Sequence, residues 1–149
     1  MLNIIMDFKL FLIESDKNLL DINKTLAKLP KLHRDMVKGY KFVFQSGNTM
    51  KGDKKHVGII DTTKKQIVLA APWNYPREFT FLHEIAHLIW AKFVTNLQKE
   101  QWNKLVSPYK KKLDDTEEEL FCMIYANCYA KNPVVKFDIK KLKSFVLKF

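Results

Sequence analysis

With 149 residues, 47% of them hydrophobic, the chain is long enough to bury the core of one domain and too short to suggest two. Only four glycines and five prolines, with no low-complexity tract or internal repeat, exclude collagenous, disordered and repeat architectures and favour an ordered, mostly helical fold. A net charge of +10 raises nucleic acid as a partner, but the lysines are scattered over every segment, as on a solvated surface, so nucleic acid is disfavoured, while an acidic protein or peptide would be drawn.

From Met1 to Ile13 there is no basic start, and Asp7 and Lys9 interrupt the apolar stretch, so neither a signal peptide nor a membrane span is expected. Leu19, Leu20, Ile22, Leu26 and Leu29 recur at helical spacing and predict a helix over 15–29, closed before Pro30 and followed by a short helix over 31–38. Nothing in this pair separates a DNA-reading helix-turn-helix from ordinary amphipathic packing. Strands are expected at 40–44, 56–61 and 66–71, the last two joined by the polar turn Thr62-Thr63-Lys64-Lys65. The strand over 66–71 is either a sheet edge able to pair with an extended peptide or a plain member of the sheet. Further helices are predicted over 79–90, 99–111, 116–130 and 137–148. The order implies a single α+β domain over 1–149, a small sheet packed on the helix at 79–90 with a helical C-terminal half. Cys122 and Cys128 lie six apart on one predicted helix, about 240° apart around it, so they cannot pair with each other. Free thiols without an export signal predict a cytoplasmic protein.

The helix at 79–90 carries the chemistry. It reads Phe79-Thr80-Phe81-Leu82-His83-Glu84-Ile85-Ala86-His87-Leu88-Ile89-Trp90, apolar on nearly every side and therefore buried. Four residues advance a helix by about 400° and roughly 6 Å, so His83 and His87 stand one above the other and can share one metal ion. Glu84 lies about 100° round from His83, beside the metal axis, where it can take a proton from a water activated by the metal. Such a His-Glu-x-x-His pattern arises by chance in a chain of this length only about half a percent of the time, on average residue usage. Three ionisable groups inside a buried helix also need a partner, and a divalent cation offsets the burial cost directly. The pattern is the zinc-and-base signature of metallopeptidases.

Catalytic zinc takes three protein ligands, and the third is not in this motif. A glycine three residues after His87 and a histidine six after it would complete one known class, but Trp90 and Phe93 stand there. His33 and His56 belong to unrelated upstream segments. The helix at 116–130 offers Glu118 and Glu119. Thr116 and Glu119 also form a capping-box pattern, so spacing alone leaves Glu119 open between metal ligand and helix cap, with Glu118 as the rival ligand. Cys122 and Met123 are expected to pack beneath the site, a core role for Cys122 being favoured over a thiol ligand.

The His83-Glu84-Ile85-Ala86-His87 motif followed 32 residues later by Glu119 resembles the gluzincin class of zinc metallopeptidases, in which a helical glutamate is the third ligand. Residues 58–90 resemble the ImmA/IrrE type. The stretch Glu118-Glu119-Leu120-Phe121-Cys122-Met123-Ile124-Tyr125-Ala126 is similar to the anthrax-lethal-factor-like and Pro-Pro endopeptidase branch. Together these likenesses span about residues 58 to 130. They imply a zincin-like fold, Zn2+ held by His83, His87 and Glu119, Glu84 as general base, and a protein or peptide as substrate. The second branch implies a tyrosine seven residues before the glutamate ligand to stabilise the oxyanion; Lys112 stands there, so Tyr109 is the candidate, with Lys112 itself the alternative. The expected function is zinc-dependent peptide hydrolysis. The alternatives are a regulatory protein that keeps the metal without catalysis, and a protease tethered to DNA by its charge.

Overall fold

The computed structural model describes residues 21–45, 49–51, 54–56, 58–70, 76–113, 115–136 and 138–149. Two short helices, α1 (Ile22–Ala27) and α2 (Lys31–Met36), lead into the strands β1 (Lys41–Gln45), β2 (Thr49–Lys51), β3 (Lys54–His56), β4 (Gly58–Asp61) and β5 (Gln66–Ala70). Four helices follow: α3 (Arg77–Phe93), α4 (Asn96–Leu113), α5 (Glu117–Tyr129) and α6 (Lys140–Val146). The architecture is α+β, and the sheet lies against the helix that carries both motif histidines. Among the described residues no helix is long and apolar enough to cross a membrane.

β5 is the middle strand of a three-stranded mixed sheet, parallel to β1 and antiparallel to β4, with Phe42 and Ile60 both opposite Ile67. This decides between the two readings of the 66–71 strand. Both edges of β5 are already paired, so it is a plain sheet member and has no free edge for a peptide. Alternation places Ile67 and Leu69 in the core, while Gln66 and Val68 are half-buried. The strand expected over 56–61 is divided: β3 ends at His56 and pairs with β2 in a separate two-stranded sheet, whereas β4 begins at Gly58 and pairs with β5. Local sequence cannot reveal a change of partner. The β4–β5 turn is built by Asp61, whose carboxylate accepts from the backbone N–H groups of Thr63 and Lys64 at 3.0 and 2.9 Å.

Helix α3 starts after Pro76, whose φ of −52° suits a helix entry, and it is buried on most sides through Phe79, Phe81, Leu82, Ile85, Ala86 and Ile89. It runs three residues beyond its expected end. Its most extensive helical neighbour is α5, and β4 and β5 meet its other side. Glu78, in the first turn, accepts from Thr25 Oγ1 at 3.3 Å, Lys28 Nζ at 2.9 Å and the Lys131 backbone N–H at 2.6 Å. Helix α1 and the segment after α5 are thereby tied to α3 five residues before His83.

The other boundaries shift in ways that local signals explain. Of the helix expected over 15–29, positions 21–29 fall within the described residues and Ile22–Ala27 is helical, capped by Asp21, which accepts from the Lys24 N–H at 2.9 Å. The expected N-terminal stretch, Met1 to Ile13, lies outside them. The last helix begins at Lys140 instead of position 137, with Asp138 accepting from the Lys140 N–H at 3.1 Å. Trp102 of α4 is fully buried, donates to the Glu117 carbonyl at 2.8 Å and meets the rings of Phe121 and Phe145, joining α4, α5 and α6.

His33 of α2 is buried at 1% exposure. Its Nδ1 lies 2.9 Å from the Tyr125 hydroxyl, its ring stacks on Phe93, and its Nε2 has no hydrogen-bond partner among the described residues. Burial holds its pKa below 6.5. Below that value the unfolded chain binds the proton more readily, so this stability is full above about 6.5 and is lost as pH falls through the lower folded value. The thermal midpoint should therefore drop as pH falls below about 6.5, and more steeply than in His33→Gln. Equal slopes would rule out His33 as the source.

Candidate metal centre

His83 and His87 project from one side of α3, their ring centroids 5.2 Å apart and their planes inclined at 74°. Helix α5 delivers Glu119 opposite them. One carboxylate oxygen of Glu119 lies 2.8 Å from His83 Nε2 and the other 3.3 Å from His87 Nε2. A single carboxylate thus spans the two imidazoles from one helix to the next.

The choice between ligand and cap at Glu119 is clarified by this geometry. Thr116 does cap α5, its hydroxyl accepting from the Glu119 backbone N–H at 3.2 Å. The Glu119 side chain faces the histidines, so its backbone serves the helix and its carboxylate serves the site. Glu118, its rival in the sequence, is placed differently: its carboxylate lies 3.0 Å from His87 Nδ1, the nitrogen on the far side of the ring from Glu119. A metal-ligating histidine usually donates its other N–H to such a carboxylate, which fixes the tautomer and raises ligand basicity. Glu118 stands where such an orienting carboxylate would, a placement no spacing in the sequence displays. Glu117, the third acid of the run, pairs with Lys110 instead.

Glu84 is buried at 7% exposure and lies against β4. A Cβ built on Gly58 would come within 2.8 Å of Glu84 Oε1 and 2.9 Å of its Cγ, so the absence of a side chain at position 58 makes room for the carboxylate. The expected position beside the histidines on α3 is kept, and the sheet closes over it.

The carboxylates around the two imidazoles favour positive charge on His87. Burial alone would lower the His87 pKa, but hydrogen bonds to Glu119 and Glu118, with the charge of Glu84, override it and raise the value to about 9. Glu119 is pulled far below the usual carboxylate range by its hydrogen bonds to His83 and His87. Cys122, one turn along α5 from Glu119, is fully buried, and burial together with the charges of Glu119, Glu118 and Glu84 pushes its thiol well up. Among the described residues, His83, His87 and Cys122 form a group whose ligand atoms all lie within 4.8 Å of one another. Two imidazoles, a carboxylate and a thiol are the donor types that zinc takes.

Tyr109 lies half-buried near the end of α4 and packs against the core. The side chain of Lys112, its alternative, lies outside the described residues, as does that of His56. Met123 is half-buried against the same core. No family model, curated protein or solved structure matches the chain, so the geometry of these residues carries the functional reading.

Proposed function

We propose that the protein is a zinc-dependent peptidase with a zincin-like centre, in which His83, His87 and Glu119 hold the ion and Glu84 acts as general base. The observation that carries this reading is the convergence of Glu119, from a second helix, on the Nε2 atoms of both motif histidines. When bound, zinc would polarise the scissile carbonyl and lower the pKa of a coordinated water toward neutrality.

The chain's own groups perform the remaining work. Glu84, held in a nearly dry position against Gly58, takes a proton from the attacking water and delivers it to the leaving amine nitrogen. Glu118 keeps His87 turned with Nε2 toward the centre. Tyr109 is the proposed donor to the developing oxyanion, with Lys112 as the alternative. The substrate is a protein or peptide, and the +10 charge favours an acidic one. A cytoplasmic location belongs to the same reading, on the free thiols Cys122 and Cys128.

The test is hydrolysis of a peptide library by protein purified, stripped with chelator and reloaded with zinc. Cleavage that disappears on stripping and returns on reloading is the expected result. Full zinc uptake without cleavage of any peptide would favour the second reading, a metal-holding protein that does not hydrolyse peptides. One observation speaks for that alternative: Cys122 adds a possible fourth protein donor to a site that needs an open position for catalysis.

A further inference from the structure

We propose that Cys122 is a metal ligand, its sulfur binding the same ion as His83 and His87 and closing the centre in its resting state. The inference rests on the metal site described above, but not on peptide hydrolysis.

Position on α5 is the first argument. Glu119 and Cys122 are three residues apart and so share one helical face, about one turn from each other. That face meets α3, where His83 and His87 project. The longer Glu119 side chain reaches both imidazoles and remains 38% exposed, whereas the short Cys122 is fully enclosed. The carboxylate therefore approaches from the solvent side and the sulfur from the interior.

Distance is the second. One donor atom each from His83, His87 and Cys122 lie within 4.8 Å of one another. Around tetrahedral zinc, a sulfur and a nitrogen donor stand about 3.6 Å apart, from ordinary bond lengths. Closing that gap takes about 1 Å of side-chain movement and no rearrangement of helices. Cys128, the other free thiol, is six residues farther along α5 and belongs to no such group among the described residues.

The chemistry balances simply: the Cys122 S–H bond breaks, its proton leaves to solvent, and the sulfur lone pair forms the bond to the ion, with no change of oxidation state. Glu119 is not in that group of donor atoms, but its carboxylate, already against both Nε2 atoms, would complete four protein donors, the closed coordination of a structural site. Sulfur in the set also selects thiophilic ions over hard ones such as Mg2+. For hydrolysis to occur, Cys122 must give up its position to water.

Cobalt(II) in place of zinc makes the donor set visible. Reduced, full-length protein loaded with cobalt should show a sulfur-to-cobalt charge-transfer band in the near ultraviolet alongside the visible d–d bands. Cys122→Ala and Cys122→Ser should lose the first and keep the second, whereas Cys128→Ala should keep both. Visible bands without charge transfer in the wild type would overturn the sulfur ligand while leaving His83, His87 and Glu119 in place. A charge-transfer band that survives both Cys122 variants would overturn it equally. No cobalt bands at all would overturn the metal centre, and with it both proposals.

Discussion

Replacing Glu84 by Gln should leave zinc content unchanged and slow peptide hydrolysis by about 10²–10⁴-fold, the range associated with a positioned general base. The amide keeps the size of the carboxylate in a tight place, since a single added carbon on Gly58 would already crowd it. It removes the ability to accept a proton from water, and with it the transfer to the leaving amine. Because Glu84 is not one of the proposed ligands, stoichiometric zinc measured by elemental analysis separates a chemical defect from a lost ion. Gly58→Ala provides the positional counterpart. Its Cβ would press on Glu84 and on Thr80, whose Cγ2 would lie 3.0 Å away, and should reduce turnover through displacement with zinc again retained. Wild-type rates in Glu84→Gln would exclude Glu84 as the base.

Glu119→Ala should weaken zinc binding far more than Glu118→Ala. Glu119 faces the Nε2 atoms of both histidines, whereas Glu118 meets only Nδ1 of His87. Loss of an outer carboxylate of that kind typically costs roughly 10–100-fold in metal affinity, so Glu118→Ala should fall in that range and Glu119→Ala should lose more than about 100-fold. Competition with a chromogenic chelator measures both constants. The reverse order would exchange the two acids, making Glu118 the ligand and Glu119 the orienting group. Glu119→Ala also removes the acceptor that both imidazoles share, so the comparison should be made on protein whose folding has been checked by circular dichroism.

Much of the candidate site was legible because it is local. His83, Glu84 and His87 lie within five residues, and helical geometry alone places the two imidazoles together and the carboxylate beside them. The acidic start of α5 could also be read, with Thr116 as its cap, because capping depends on a few adjacent groups. What spacing left undivided was the choice between Glu118 and Glu119. Both lie near the face that meets α3, and their roles differ only in which nitrogen of which histidine each one reaches.

The strands show the same division. The approximate positions of β1, β4 and β5 followed from apolar runs, but β2, most of β3, the break between His56 and Gly58 and the central place of β5 did not. A strand's neighbours are chosen by segments far away in the chain, and β1 and β5 become parallel partners across 20 intervening residues. The contact between His33 and Tyr125 spans 92 positions, and no periodicity signals it.

The sequence by itself determined the helical motif, its burial, the α+β order of elements and the supply of acidic groups on a later helix, since propensity, periodicity and capping act over one or two turns. Only the tertiary structure decided that Glu119 spans both histidines, that Glu118 meets Nδ1 of one of them, that Gly58 makes room for Glu84 and that Cys122 stands close to the two imidazoles. Each of these depends on how α5 and β4 are set against α3, and that is fixed by the packing of the whole core.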